Sequence, residues 1–85
     1  MNLDNSNTSE AQMRRMVAAM RIRPQSTEDF RKLGIFQVSA RIFGLRKQGY
    51  VIETQPIEIT DRDGFPHRGV GLYHLIEEPV GEVLA

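Results

Sequence analysis

The sequence predicts an α+β domain in which three helices are followed by a two-stranded β-hairpin. Apolar residues recur at helical spacing from residue 13 to residue 45, interrupted at Pro24 and Gly34. After Gly49 the pattern changes to β-branched residues that alternate with polar ones. A cluster of turn-forming residues at positions 60–68 then separates two strand-like segments, which is typical of a hairpin.

Length and composition restrict the kind of protein. Eighty-five residues are enough for one small domain, and a hydrophobic content of 40% is close to that of globular proteins. The chain has no cysteine, which excludes a disulfide framework and cysteine-ligated metal sites. It has neither an apolar segment of the roughly 20 residues that a membrane span requires nor a signal-peptide pattern. We therefore expect a soluble, cytoplasmic protein that does not bind a membrane.

The first third of the chain predicts a tail and one helix. Residues 1–8 are polar and lack periodicity, so we expect this segment to be disordered. Ser9 and Gln12 have the spacing of a capping box, which places the start of the helix at residue 9. Pro24 ends the helix because it disfavours the α conformation of the residue before it. The predicted core-facing stripe consists of Met13, Met16, Val17 and Met20.

The middle of the chain predicts a helix-turn-helix. Ser26 and Asp29 form a second capping box, which starts a short helix, and Gly34 is suited to end it in the left-handed conformation. A third helix follows after a tight turn, with a core-facing stripe of Val38, Ile42 and Leu45. Two short helices joined by a glycine-containing turn make a helix-turn-helix.

The last third predicts two strands and a tail. Residues 50–59 form the first strand, and Pro56 requires that it bend or lie at a sheet edge. Residues 60–68 form the hairpin loop, and residues 70–76 form the second strand. Residues 79–85 have no clear pattern and are expected to be a C-terminal tail. The folded domain is therefore predicted to span residues 9–78.

This order of elements is the layout of a winged helix-turn-helix domain, with the hairpin loop as the wing. The segment 26–54 resembles a family of small helix-turn-helix proteins of bacteria and their phages. Its pattern, Arg-Ile-x-x-Leu-Arg-x-x-Gly-Tyr-x-Ile-x-Thr, runs here from Arg41 to Thr54. The chain departs from the family at Phe30, where alanine is usual, and at Phe43 and Gly44, where polar residues are usual. The resemblance implies binding to double-stranded DNA by a small transcriptional or phage regulator.

Charge is distributed unevenly although the net charge is zero. Residues 11–48 contain nine Lys or Arg residues against two carboxylates, whereas residues 49–85 contain two against seven. A basic half that coincides with the predicted helix-turn-helix favours a nucleic-acid partner.

The third helix carries most of the candidate DNA-binding residues. In a major groove, the N-terminal residues of such a helix contact base edges and later cations contact phosphates. Gln37 is suited to adenine, Ser39 to base edges or phosphate, and Ala40 and Phe43 to thymine methyl groups. With two arginines of the predicted wing, the candidate set is Gln37, Ser39, Ala40, Arg41, Phe43, Arg46, Lys47, Arg62 and Arg68.

Several of these residues have a second interpretation. Arg41 is either a phosphate contact or an ion-pair partner of Glu28 or Asp29. Arg46 and Lys47 are either phosphate contacts or part of a solvated helix face. Phe43 has three possible roles: a base contact, a dimer contact, or a residue covered by the tail.

The wing is ambiguous as a DNA contact. Arg62, His67 and Arg68 suit a phosphate backbone or a minor groove, but Asp61 and Asp63 beside them would repel it. Phe65 is either an apolar wedge or folded back on the hairpin, and the fold-back is the favoured prediction.

No pattern indicates catalysis. His67 and His74 have no third metal ligand or nucleophile at a recognisable spacing, so we expect no enzyme activity, cofactor, metal or small-molecule substrate. The alternative function is a winged-helix adaptor for protein–protein interaction, since fold does not fix function. It predicts a contiguous apolar patch of Phe36, Phe43 and Phe65, whereas DNA binding predicts a continuous positive surface. A homodimer or another protein is a further expected partner.

Overall fold

A computed structural model describes residues 8–80, apart from the side chains of Ile59 and of residues 67–70. Within that part, the chain forms three helices and one three-stranded antiparallel sheet. The fold class is α+β, as predicted, but the sheet has a strand that the sequence did not indicate. The helices are α1 (Ser9–Ile22), α2 (Thr27–Lys32) and α3 (Val38–Lys47), and the strands are β1 (Gln25–Ser26), β2 (Val51–Thr60) and β3 (Pro66–Glu77).

The additional strand, β1, corrects the prediction of a two-stranded hairpin. It is two residues long and pairs with β3, Gln25 opposite Tyr73 and Ser26 opposite Leu72, which gives the order β1-β3-β2. The buried Gln25 amide Nε2 donates to the carbonyls of Ala19 and Arg23, both at 3.0 Å. The connection between α1 and α2 is thereby fixed to the sheet.

Side-chain caps set the starts of α1 and α2. The Ser26–Asp29 capping box is confirmed: Ser26 Oγ accepts from the Asp29 N–H at 3.0 Å, and Asp29 Oδ2 accepts from the Ser26 N–H at 2.9 Å. At α1 the helix begins at Ser9 as predicted, but the cap was placed one residue too late, since Thr8 Oγ1, and not Ser9, accepts from the Ala11 N–H at 3.1 Å. The rest of the predicted N-terminal tail, residues 1–7, lies outside the described residues.

The core lies between the helices and the sheet. The predicted stripe of α3 is buried as expected, and Phe30 and Tyr73 pack with their ring centroids 5.9 Å apart. Met13 is only partly buried and packs against the edge of this core. The buried core consists of Met16, Val17, Met20, Phe30, Ile35, Val38, Ile42, Leu45, Ile52 and Tyr73.

The long hairpin of β2 and β3 forms the wing. Strand β2 lies at a sheet edge, one of the two alternatives that Pro56 predicted, and Pro56 is opposite Gly71. The turn is shorter than predicted because Asp61 Oδ1 accepts from the N–H groups of Asp63 (2.9 Å) and Phe65 (3.0 Å). β3 therefore begins at Pro66, four residues earlier than predicted. Gly64, with φ of +88°, permits the tight turn.

Candidate nucleic-acid interface

The turn between α2 and α3 presents the start of α3 to solvent. Gly34, with φ of +86°, ends the α2 segment as predicted, and Ile35 after it is fully buried. The chain then leaves the core, so that Phe36 and Gln37 are exposed before α3 begins. Helix α3 packs on the core through Val38, Ile42 and Leu45, which leaves its opposite face exposed.

One side of α3 is held against α1. Arg41 donates from Nη1 to Ser9 Oγ and from Nη2 to Gln37 Oε1, the latter at 3.4 Å. A Cβ on Gly44 would lie 3.1 Å from Met13 Sδ, so Gly44 faces the Met13 side chain of α1 at close range. Within residues 8–80, no ion pair joins Arg41 to Glu28 or Asp29, contrary to one of the two interpretations of the sequence. Arg41 instead connects α1 to the first turn of α3.

The other side of α3 is held against β2 by Arg46. Its guanidinium donates to the Ile52 carbonyl from Nη2 (2.6 Å) and Nε (3.2 Å), and Nη2 also donates to Thr54 Oγ1 at 3.1 Å. The sequence indicated only a phosphate contact or a solvated residue at this position. The structure adds a third role, because Arg46 satisfies a backbone carbonyl of the edge strand and fixes the wing to α3.

An outward-facing surface consists of Phe36, which precedes α3, and of Ala40, Phe43 and Lys47 on α3. We call it the recognition face. Successive residues of a helix are rotated by roughly 100°, and this places residues 40, 43 and 47 opposite the buried stripe. Phe36 is 72% exposed and Phe43 is 64% exposed. The Lys47 ammonium lies 5.4 Å from the centroid of the Phe43 ring. This surface is apolar at its start and centre and cationic at its end.

A depression of about 310 Å³ adjoins the recognition face at the start of α3. Gln37 is the N-cap residue of α3 and makes no side-chain hydrogen bond to the first turn, so the amide groups of that turn are uncapped. Arg31 on α2 also lines the depression, and the sequence did not single it out. The lining residues are Thr27, Arg31, Phe36, Gln37, Val38, Ser39 and Ala40.

The charged residues of the chain segment that contains α3 have one sign. Residues 30–52 contain five Lys or Arg residues and no Asp or Glu. In the described part of the chain, the side chains of Arg31, Lys32 and Lys47 make no hydrogen bond or ion pair with protein groups. These three cations are available to a ligand, whereas Arg41 and Arg46 have partners within the domain. The carboxylate-free segment is the sequence feature that would have identified Arg31.

The wing turn lies apart from α3. Arg62 is exposed and follows β2, whose ten residues span roughly 33 Å at the usual rise of a strand. Phe65 at the turn is 66% exposed, which contradicts the predicted fold-back on the hairpin. The side chains of His67 and Arg68 lie outside the described residues. The structure therefore does not bring Arg62 together with the candidate residues of α3.

Three further observations concern residues and sites outside α3. His74 Nε2 lies 2.9 Å from Gln55 Oε1, across the wing. Among the residues that the structure describes, no group of His, Cys, Asp and Glu could hold a metal ion. None of the helices in residues 8–80 is long and apolar enough to cross a membrane.

The three helices and the wing have the order of a known domain type. A family model described as a winged helix-turn-helix domain matches residues 11–78. Comparisons with curated proteins and with solved structures gave no match. Winged helix-turn-helix domains in general bind DNA. The order of elements and the family match together show that this chain belongs to the winged helix-turn-helix family.

Proposed function

We propose that this protein binds double-stranded DNA sequence-specifically, with α3 in the major groove, as a small transcriptional or phage regulator in the bacterial cytoplasm. The observation that carries the proposal is the exposed face of α3 within a segment of 23 residues, 30–52, that contains five cations and no carboxylate. Such a surface attracts the phosphate backbone, while the groove admits a helix of this size. The bacterial and phage context rests on the sequence resemblance.

The contacts are divided between phosphates and bases. Arg31, on α2 beside the start of α3, and Lys47, at the end of α3, are free to contact phosphates on the two sides of the groove. The uncapped amide groups of the first turn provide further donors to a phosphate. Gln37 and Ser39 are exposed near the N-terminus of α3, where base edges are reached. Arg41 and Arg46 act indirectly, by fixing α3 against α1 and β2.

A single domain of this size provides few base contacts, so we also propose that two copies bind together. A two-fold dimer would place two α3 helices in successive major grooves, and its operator would be a palindrome. The half-sites would then lie about 34–36 Å apart, one helical turn of DNA.

One observation favours a different function, that of a protein-binding adaptor. Phe36 and Phe43 are large apolar side chains that lie exposed on the recognition face. Aromatic residues are enriched at the centres of protein interfaces. The salt dependence of binding to duplex DNA separates this function from DNA binding.

The proposal is tested by the salt dependence of DNA binding. Binding of the chain to a labelled random-sequence duplex is measured by fluorescence anisotropy at several salt concentrations. If Arg31 and Lys47 contact phosphates, the double variant Arg31→Gln with Lys47→Gln flattens the slope of log K against log[salt] by roughly 2 × 0.9. The matched control is Arg23→Gln, an exposed cation beyond the C-terminal end of α1. Helix α1 contacts α3 through Ser9 and Met13, near its other end.

A second variant separates base contacts from phosphate contacts. Gln37→Ala is expected to cost about 1–3 kcal/mol on a selected site and little on random DNA. An unchanged salt slope in the double variant would contradict the proposal. In that case the cations are only a solvated surface, and the adaptor function becomes the better account of Phe36 and Phe43.

A further inference from the structure

The centre of the recognition face has unusual chemistry for a DNA-binding helix. Ala40 and Phe43 occupy two of the three positions opposite the buried stripe, where polar side chains would hydrogen-bond base edges. Neither side chain can donate a hydrogen bond to a base or accept one from it. The group in the major groove that an apolar side chain recognises is the 5-methyl group of thymine.

The spacing of the two residues fits neighbouring base pairs. Residues three apart on a helix are separated by about 4.5 Å along its axis. Stacked bases of one strand are separated by about 3.4 Å. A helix lying along the groove therefore brings Ala40 and Phe43 against methyl groups of the same or adjacent base pairs.

The contact between Lys47 and Phe43 favours DNA over an apolar protein surface as the ligand of the recognition face. The Lys47 ammonium lies 5.4 Å from the centre of the exposed Phe43 ring. Burial of that ring in an apolar interface would remove water from the ammonium, which is costly without an opposite charge. DNA provides that charge, because a phosphate oxygen can accept a hydrogen bond from the Lys47 ammonium while the Phe43 ring contacts a base in the groove.

Resting on the proposed function, we propose that Phe43, together with Ala40, recognises the 5-methyl groups of thymine. The operator then contains thymine at one or two neighbouring positions beneath the middle of α3. Gln37 and Ser39 on the flanks of the face supply the hydrogen bonds to the bases on either side.

The test replaces thymine with deoxyuridine, which removes the methyl group and leaves base pairing and phosphates unchanged. A preferred site is selected from random duplexes, and each thymine in it is replaced singly by deoxyuridine. Affinity is measured at one fixed salt concentration. We expect a loss of about fourfold at each contacted position, the factor that corresponds to burial of one methyl group, and no loss elsewhere.

Variants assign the effect to the residue. In Phe43→Ala, the thymine/deoxyuridine affinity ratio should fall to about one at the position that the ring contacts, whatever the absolute affinity. Phe65→Ala is the matched control, because Phe65 is exposed to a similar extent (66% against 64%) but lies in the wing turn. Its ratio should remain that of the wild type. Thermal melting confirms that both variants are folded.

Failure of the thymine methyl contact can be distinguished from failure of the proposed DNA binding. Specific, salt-dependent binding with equal affinity for thymine and deoxyuridine at every position would overturn the methyl contact alone. A thymine/deoxyuridine affinity ratio in Phe43→Ala equal to that of the wild type would also overturn the methyl contact. If no duplex binds in a salt-dependent manner and Phe43→Ala converts a dimer to a monomer in sedimentation, the recognition face is a protein interface and both proposals fail.

Discussion

Replacement of Arg46 by methionine is expected to destabilise the domain, although Arg46 is exposed on a helix surface. The substitution keeps a long unbranched side chain and removes the guanidinium that donates twice to the Ile52 carbonyl and once to Thr54. A hydrogen bond to a charged group contributes about 1.5–3 kcal/mol. Two of these bonds share one acceptor and the group is exposed to water, so we expect a loss of about 1–2 kcal/mol.

Thermal unfolding followed by circular dichroism measures this loss. For a domain of 60–100 residues, each kcal/mol lowers Tm by roughly 4–8 °C, so Arg46→Met should lower Tm by roughly 5–15 °C. Lys47→Met is the matched control: it removes the same charge from the next residue, which has no hydrogen bond in the described part of the chain. Thr54→Val should cost less than Arg46→Met, since both bonds to the carbonyl remain. Equal Tm values for Arg46→Met and Lys47→Met would refute a structural role for Arg46.

Three other predictions concern the framework around the site. Ile42→Ala should lower the unfolding free energy by about 2–5 kcal/mol in urea denaturation, because Ile42 is buried in the α3 stripe; an unchanged midpoint would mean that the orientation of α3 is wrong. Ser26→Ala should lower the unfolding free energy by about 0.5–2 kcal/mol in the same assay, because the α2 cap is lost. A loss smaller than that from a Ser→Ala substitution at an exposed position would argue against the capping box. The Arg21 guanidinium, at 2.7 Å from Glu78, lowers the pKa of that carboxyl. The stabilisation from this pair is present at neutral pH and is lost as the pH falls through the lowered pKa. An NMR titration should find the Glu78 pKa below its ordinary value and find it raised in Arg21→Gln, and equal values in the two proteins would contradict the ion pair.

The elements that were predicted correctly have strong local signals. The buried stripe of α3 follows from three apolar residues at helical spacing, and Gly34 occupies the left-handed conformation that its position requires. The edge position of β2 is one of the two alternatives, a bend or an edge, that Pro56 predicts, because proline has no N–H for a central strand. Each of these features depends on neighbouring residues alone.

The features that were missed depend on contacts between distant residues. Strand β1 has only two residues, too few for a periodic pattern, and it exists because Gln25 and Ser26 lie beside β3. The hydrogen bond from Arg46 to the Ile52 carbonyl requires the first residues of β2 to lie against α3. The exposure of Phe65 depends on the turn that Asp61 closes, and this turn is shorter than its composition suggested.

The exposure of the candidate residues of α3 could be predicted from the sequence, but the bonding partners of its cations could not. The exposed face of α3 follows from the helical period, so Ala40, Phe43 and Lys47 could be identified from the sequence. The sequence could not show which cations are free for a ligand and which are bonded within the domain. Arg41, Arg46 and Lys47 have the same charge, and only the packing of α3 against α1 and β2 distinguishes them.

The most direct test of the central claim, that the exposed face of α3 binds DNA, is an NMR titration of the isotope-labelled chain with duplex DNA at low salt. We predict that the largest amide shifts occur at residues 36–47 and at Arg31, and that they diminish as salt is added. The amides of residues 19–23, at the far end of α1, should not move. Shifts that are absent, or that occur mainly outside α2 and α3, would contradict the account.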